Sequence, residues 1–225
     1  MLPACADATD VPAPADSAAQ TPGQTGPRRN THVYDCSDRG AVLSVTTRLG
    51  PGELAVWLPA ELGGGYFVLG QTRSASGSRY EGDDVMVWIK GEEARFEAQG
   101  ERLTGCVLNT YRSIWEHARL SGVAFRGIGN EPGWSIEIRE RRIDLILDYG
   151  ARSLTAEFAP SMVQSVAGQT EYQTEIGSQP LLVTIARFPC NDTMSGEPFE
   201  AAVTVRLGQQ EFHGCGRFLN GQDAS

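Results

Sequence analysis

Apolar and polar residues alternate at a spacing of two along most of the chain. The alternation is clearest where Val85, Val87 and Ile89 fall on one side and Met86, Trp88 and Lys90 on the other, as a half-buried strand requires. Similar short runs occupy 31–110: Ala41 to Thr47, Glu53 to Leu58, Gly65 to Leu69, Asp84 to Lys90, Arg95 to Ala98 and Leu103 to Val107, with glycine-rich turns between them. This pattern predicts a small antiparallel barrel or curled sheet with closed edges. After Asn109 the alternation stops, and Tyr111, Ile114, Trp115 and Leu120 fall at loosely helical spacing, which predicts a short helical connector over 111–121. Strands return over 122–218, where Trp134, Ile136 and Ile138 alternate with Ser135, Glu137 and Arg139, Ile143, Leu145, Leu147 and Tyr149 with Asp144, Ile146 and Asp148, and later Ala201, Val203, Val205 and Leu207 with Ala202, Thr204 and Arg206. Residues 1–30, rich in Ala, Pro, Asp, Gln and Thr, offer nothing from which to build a core and read as a disordered linker. The expected fold class is all-β: two small antiparallel barrel-like domains, 31–110 and 122–218, behind that linker.

Five cysteines, Cys5, Cys36, Cys106, Cys190 and Cys215, lack C-x-x-C spacing. Sequence order pairs Cys36 with Cys106 and Cys190 with Cys215, one crosslink per domain, worth about 4 and about 3.5 kcal/mol by loop-closure entropy. Buried free thiols in a cytosolic protein are the alternative. Cys5 stands apart, in Leu2-Pro3-Ala4-Cys5, a pattern that resembles the end of a bacterial lipoprotein signal peptide. On that reading an apolar segment is expected upstream of Leu2 and Cys5 carries lipid. The other four thiols then pair in an oxidising periplasm, and Ala6, in place of the aspartate that retains such proteins at the inner membrane, points to the outer membrane.

Charge narrows the partner. With 19 basic and 28 acidic residues, a net charge of -9 and a pI near 4.9, the chain disfavours nucleic acid and favours a basic protein. No apolar run approaches the roughly 18 residues of a membrane-spanning helix, so membrane contact is expected only through a lipid anchor. Nucleophile elbows, Walker loops, H-E-x-x-H and dinucleotide fingerprints are missing, and no carboxylate pair has dyad spacing, so no enzyme, catalytic residue or cofactor is expected. His213 lies two residues from Cys215, but that cysteine is better used in a disulfide, and no metal site is expected either.

One stretch carries candidate chemistry. Ser74-Ala75-Ser76-Gly77-Ser78 is small, polar and able to pass a tight turn, because Gly77 tolerates positive φ. The chain's single lysine, Lys90, follows on the next strand beside Trp88, as a compact charge on a flexible stem suited to a pocket of carboxylates. Each feature also has an ordinary reading: a plain loop, a core tryptophan, a lysine guarding a strand edge.

The stretch from Tyr34-Asp35-Cys36 to Gly105-Cys106, with S-A-S-G-S-R-Y over 74–80 and W-I-K-G-E-E-A over 88–94, resembles the family of membrane-bound inhibitors of C-type lysozyme. The resemblance implies an eight-stranded barrel, periplasmic or lipid-anchored, stapled by Cys36 and Cys106. It also implies an inhibitor that inserts its serine-glycine loop into the active-site cleft of host lysozyme. Ser76, Gly77 and Ser78 would then form the inserted tip, Arg79 and Tyr80 would shape it, and Lys90 would reach the same catalytic carboxylates. Ser78 stands where many relatives carry alanine. The second domain resembles uncharacterised bacterial envelope lipoprotein domains, which implies no activity; peptidoglycan or another envelope protein is its conceivable partner. The alternative to inhibition is an envelope structural or binding lipoprotein.

Overall fold

The computed structural model describes residues 30–38 and 40–220; Cys5 and all of the expected linker but Asn30 lie outside the described residues. Two all-β units follow one another, joined by one helix. The first is a closed barrel of eight strands in sequential order: β1 (Thr31–Asp38), β2 (Ala41–Gly50), β3 (Glu53–Leu58), β4 (Gly65–Thr72), β5 (Ser78–Gly82), β6 (Val85–Lys90), β7 (Glu93–Ala98) and β8 (Glu101–Leu108). Alternate residues point inward and fill it, with Tyr34, Val45, Leu54, Val56, Leu69, Val87 and Phe96 all at most 2% exposed. Burying such side chains is worth about 1.5–3 kcal/mol each. Two strands that the alternation did not reveal, β1 and β5, complete the ring.

Closure falls on β1 and β8. They pair over only three positions, Tyr34 with Leu108, Asp35 with Val107 and Cys36 with Cys106, and the last pair is the disulfide expected from sequence order. Beyond that short seam the helix α1 (Thr110–Leu120) takes the place of a strand. Asn109 caps it, its side chain accepting the Arg112 N–H at 2.9 Å. The Asn109 N–H donates to the Val33 carbonyl at 2.8 Å, and the Ser113 hydroxyl accepts the Val33 N–H at 2.8 Å. Both backbone groups of Val33 are thereby satisfied where no neighbouring strand reaches. Asp35 holds the same junction, accepting from Asn109 at 2.7 Å, Ser44 at 2.7 Å and Arg112 at 3.0 Å.

The opposite side of α1 seats the second unit. Trp115 packs on Phe199 at 5.5 Å between ring centroids, and the guanidinium groups of Arg126 and Arg217 each lie 5.3 Å from its ring. That unit comprises β9 (Phe125–Asn130), β10 (Gly133–Ile138), β11 (Arg142–Leu147), β12 (Arg152–Glu157), β13 (Val163–Val166), β14 (Gln169–Ile176), β15 (Gln179–Ala186), the short pair β16 (Cys190–Asn191) and β17 (Pro198–Phe199), β18 (Ala201–Leu207) and β19 (Gln210–Phe218). Its nine long strands form one antiparallel sheet in the order β12-β11-β10-β9-β19-β18-β15-β14-β13. The sheet curls into a half-barrel: the Thr174 hydroxyl reaches the Glu157 carbonyl at 2.6 Å, and Phe158 meets Tyr172 edge to face at 5.1 Å. Inside lie Ile136, Ile143, Leu145, Leu147, Val183 and Val205, each fully buried. The disulfide Cys190–Cys215 ties the β16–β17 pair to β19.

Asp35 links this architecture to pH. Partial burial raises its carboxyl pKa, but the hydrogen bonds from Asn109 and Ser44 and the charge and hydrogen bond of Arg112 outweigh that and hold it below the usual value. A lowered folded-state pKa contributes stability that is present above the unfolded value of about 3.9 and is lost as pH falls through the folded value. Asp35→Asn is therefore expected to lower the urea midpoint at pH 7 and to differ less from the wild type at pH 3. A gap of equal size at both pH values would remove Asp35 from this role.

Candidate functional site

The hairpin between β4 and β5 has a five-residue loop, Arg73 to Gly77, at one end of the barrel. Its conformation is fixed at one carbonyl. The Ser74 hydroxyl donates to the Ser76 carbonyl at 2.6 Å, and the Trp88 indole N–H donates to the same oxygen at 2.8 Å. Gly77 then turns the chain into β5 at φ 69°, pressed against β6 so closely that a Cβ there would stand 2.2 Å from the Ile89 carbonyl oxygen and 3.3 Å from the Lys90 Cα. The requirement for glycine is both conformational and steric.

This contact brings the loop and Lys90 to the same end of the barrel. Trp88 and Lys90 alternate with the inward Val87 and Ile89 and so share the outer face of β6, with Lys90 exposed and Gly91 turning the chain at φ 63° just beyond it. Lys90 is paired across the strands with Glu93, yet among the described residues no carboxylate lies within 4.0 Å of its ammonium. Ser76 and Gly77 are exposed and Ser78 is half-buried, opposite Ile89.

The two residues expected to shape the loop lie directly beyond it. Arg79 and Tyr80 belong to β5, not to the turn. Arg79 faces outward and pairs with Glu81, its Nε 2.9 Å from the carboxylate. Tyr80 faces inward at 4% exposure among Tyr34, Val87 and Phe96, so it supports the hairpin from within the core.

The outer face around the loop carries residues that sequence reasoning passed over. Register aligns Arg79 of β5, Trp88 of β6 and Arg95 of β7 in one row, with the Arg95 guanidinium 5.5 Å from the centre of the Trp88 ring. With Arg73 from the loop and Glu97 and Arg102 from β7 and β8, they line a hollow of about 480 Å³ under the loop. Five of the seven basic residues in 31–110, Arg73, Arg79, Lys90, Arg95 and Arg102, thus gather at or beside one loop of an acidic protein. Positions scattered over five elements give no linear motif; only strand register assembles them. Trp88, which by residue type alone reads as core, is a half-buried surface anchor for the loop.

Comparison with known proteins bears on the first unit alone. Residues 34–104, about a third of the chain, match the model of the family described as membrane-bound lysozyme inhibitor of c-type lysozyme, MliC. The matched span runs from β1 into β8 and includes the loop and Lys90. The description is that of an inhibitor, not of an enzyme. No curated protein and no solved structure matches the chain, and nothing identifies the second unit.

The indole bond predicts the behaviour of the loop. Trp88→Phe keeps an aromatic ring but removes the N–H donor, a loss of about 1 kcal/mol by ordinary hydrogen-bond energetics. Limited trypsin digestion is expected to cut after Arg73 several-fold faster in the variant. Equal cleavage rates would mean that the bond does not hold the loop.

Proposed function

We propose that the chain is a protein inhibitor of C-type lysozyme that inserts the Ser76-Gly77-Ser78 tip into the enzyme's active-site cleft and sets the Lys90 ammonium against its catalytic carboxylates. The observation that carries this reading is the packing of Gly77 on the backbone of Ile89 and Lys90, which puts a narrow polar tip and a cation without a bound carboxylate side by side. The family match over the same residues supports it.

Chemistry supplies the means. A lysozyme cleaves its glycan with two carboxylates of unequal pKa, one protonated as general acid and the other ionised. An ammonium between them forms charge-assisted hydrogen bonds to the ionised forms, so the acid gives up the proton that cleavage needs. The loop excludes substrate from the same space. The net charge of -9 draws a basic enzyme from a distance, while the cations at the loop meet the acidic cleft at contact. Attachment to a membrane through Cys5 belongs to the same proposal; the Leu2-Pro3-Ala4-Cys5 sequence and the words membrane-bound in the family's description support it.

Lys90→Ala in the full chain tests the mechanism. Truncating one partner of a hydrogen-bonded interfacial charge pair costs about 2–5 kcal/mol, so the inhibition constant in a cell-wall turbidity assay should rise about 30-fold or more. Circular dichroism should show an unchanged fold, since Lys90 is exposed. Undiminished inhibition by the variant would remove Lys90 from the mechanism, and a wild-type chain that leaves lysozyme active at large excess would end the proposal.

A further inference from the structure

We infer that the arginine-walled hollow beneath the loop is a second seat for the same partner, receiving a carboxylate of the bound lysozyme that lies outside its catalytic pair. The inference rests on the reading that the loop enters a lysozyme cleft, and it adds a requirement on the surface around that cleft.

Four guanidinium groups line the hollow, and they are not equally satisfied. Arg79 is paired with Glu81, and Arg102 with Glu97 at 2.7 Å. Arg73 and Arg95 have no carboxylate within 4.0 Å among the described residues, in a chain with 28 acidic side chains from which to choose. Arg95 is set against the Trp88 ring, which limits its freedom before any partner arrives and lowers the ordering cost of binding. The hollow, about 480 Å³ and open to solvent, has room for an acidic side chain.

Position determines who fills it. Ser74 and Ala75 of the loop form part of its wall, so any surface that surrounds the loop also covers the hollow. Covering Arg73 and Arg95 strips water from two cations, which is unfavourable unless a countercharge accompanies the burial. The countercharge must come from the docked protein, because the one carboxylate in the wall, Glu97, is already engaged by Arg102. A carboxylate suits the site, since a guanidinium fork donates two parallel hydrogen bonds to it. The same face fixes the orientation. Past Met86 it turns acidic, with Glu81, Asp83, Asp84 and Glu101 around an adjoining hollow of about 390 Å³, so the partner must be acidic at the loop and neutral or basic toward the β5–β6 turn.

The test measures inhibition of a C-type lysozyme by the full chain and by Arg73→Gln/Arg95→Gln at low and high salt, with Lys90→Ala in the same assay. The double variant is expected to inhibit about 30-fold or more weakly and with a shallower dependence on salt, at an unchanged melting temperature. If it melts early, Arg73→Gln alone carries the test, because Arg73 is an exposed loop residue with no ion pair of its own among the described residues. Replacing lysozyme's non-catalytic Asp and Glu residues one at a time should then expose one position whose effect vanishes when Arg73 and Arg95 are already gone. Equal inhibition constants and salt slopes for wild type and arginine variants, with Lys90→Ala impaired, would overturn the second seat and leave the inhibitor reading intact. A wild type that neither inhibits nor binds lysozyme would overturn both.

Discussion

The seam between β1 and β8 is the constraint on which the rest depends. A sheet of eight strands has no free edge only if its first and last strands meet, and here they meet for three residue pairs and one disulfide. The unpaired stretch of β1 is completed by α1, which supplies a backbone N–H and a serine hydroxyl where β8 no longer reaches. Closure in turn fixes the register of β5, β6 and β7, and register is what places Arg79, Trp88 and Arg95 in a row and lays Gly77 on Lys90.

Legibility in the sequence followed burial. Strand β6 was readable because one face is buried and the other is not, leaving the period of two intact from Val85 to Lys90. Strand β1 was hidden for the opposite reason: Tyr34 and Cys36 face the barrel while Thr31 and Val33 are covered from outside by α1, so both faces are buried and the alternation disappears. Strand β5 is five residues long, with a glycine, a serine and two charged residues that read as turn, and only the inward Tyr80 marks it as strand. The helical connector, both cysteine pairings and the loop with its lysine were all visible in one dimension. The arginine-lined hollow was not, because its walls come from separate strands and exist only as cross-strand neighbours.

Charge acts at two scales in this molecule. Over the whole chain it is negative, a property of solubility and long-range encounter. In the hollow under the loop the sign is set instead by individual side chains, four arginines against one glutamate. The two need not agree: an approaching basic protein responds to the sum, whereas a docked carboxylate responds to its nearest neighbours.

The helix α1 joins two seats that face different ways, a hydrogen-bonded one where Ser113 meets Val33 and an aromatic one where Trp115 meets Phe199. A graft of the barrel onto another scaffold would have to include the chain through Leu120, since ending it at β8 would leave the Val33 amide and carbonyl without their partners. The host scaffold would also need an apolar bed for the indole of Trp115, or would carry that ring exposed to water. The same constraint bears on any exchange of the carboxy-terminal unit, which would leave this tryptophan exposed unless the newcomer sheltered it.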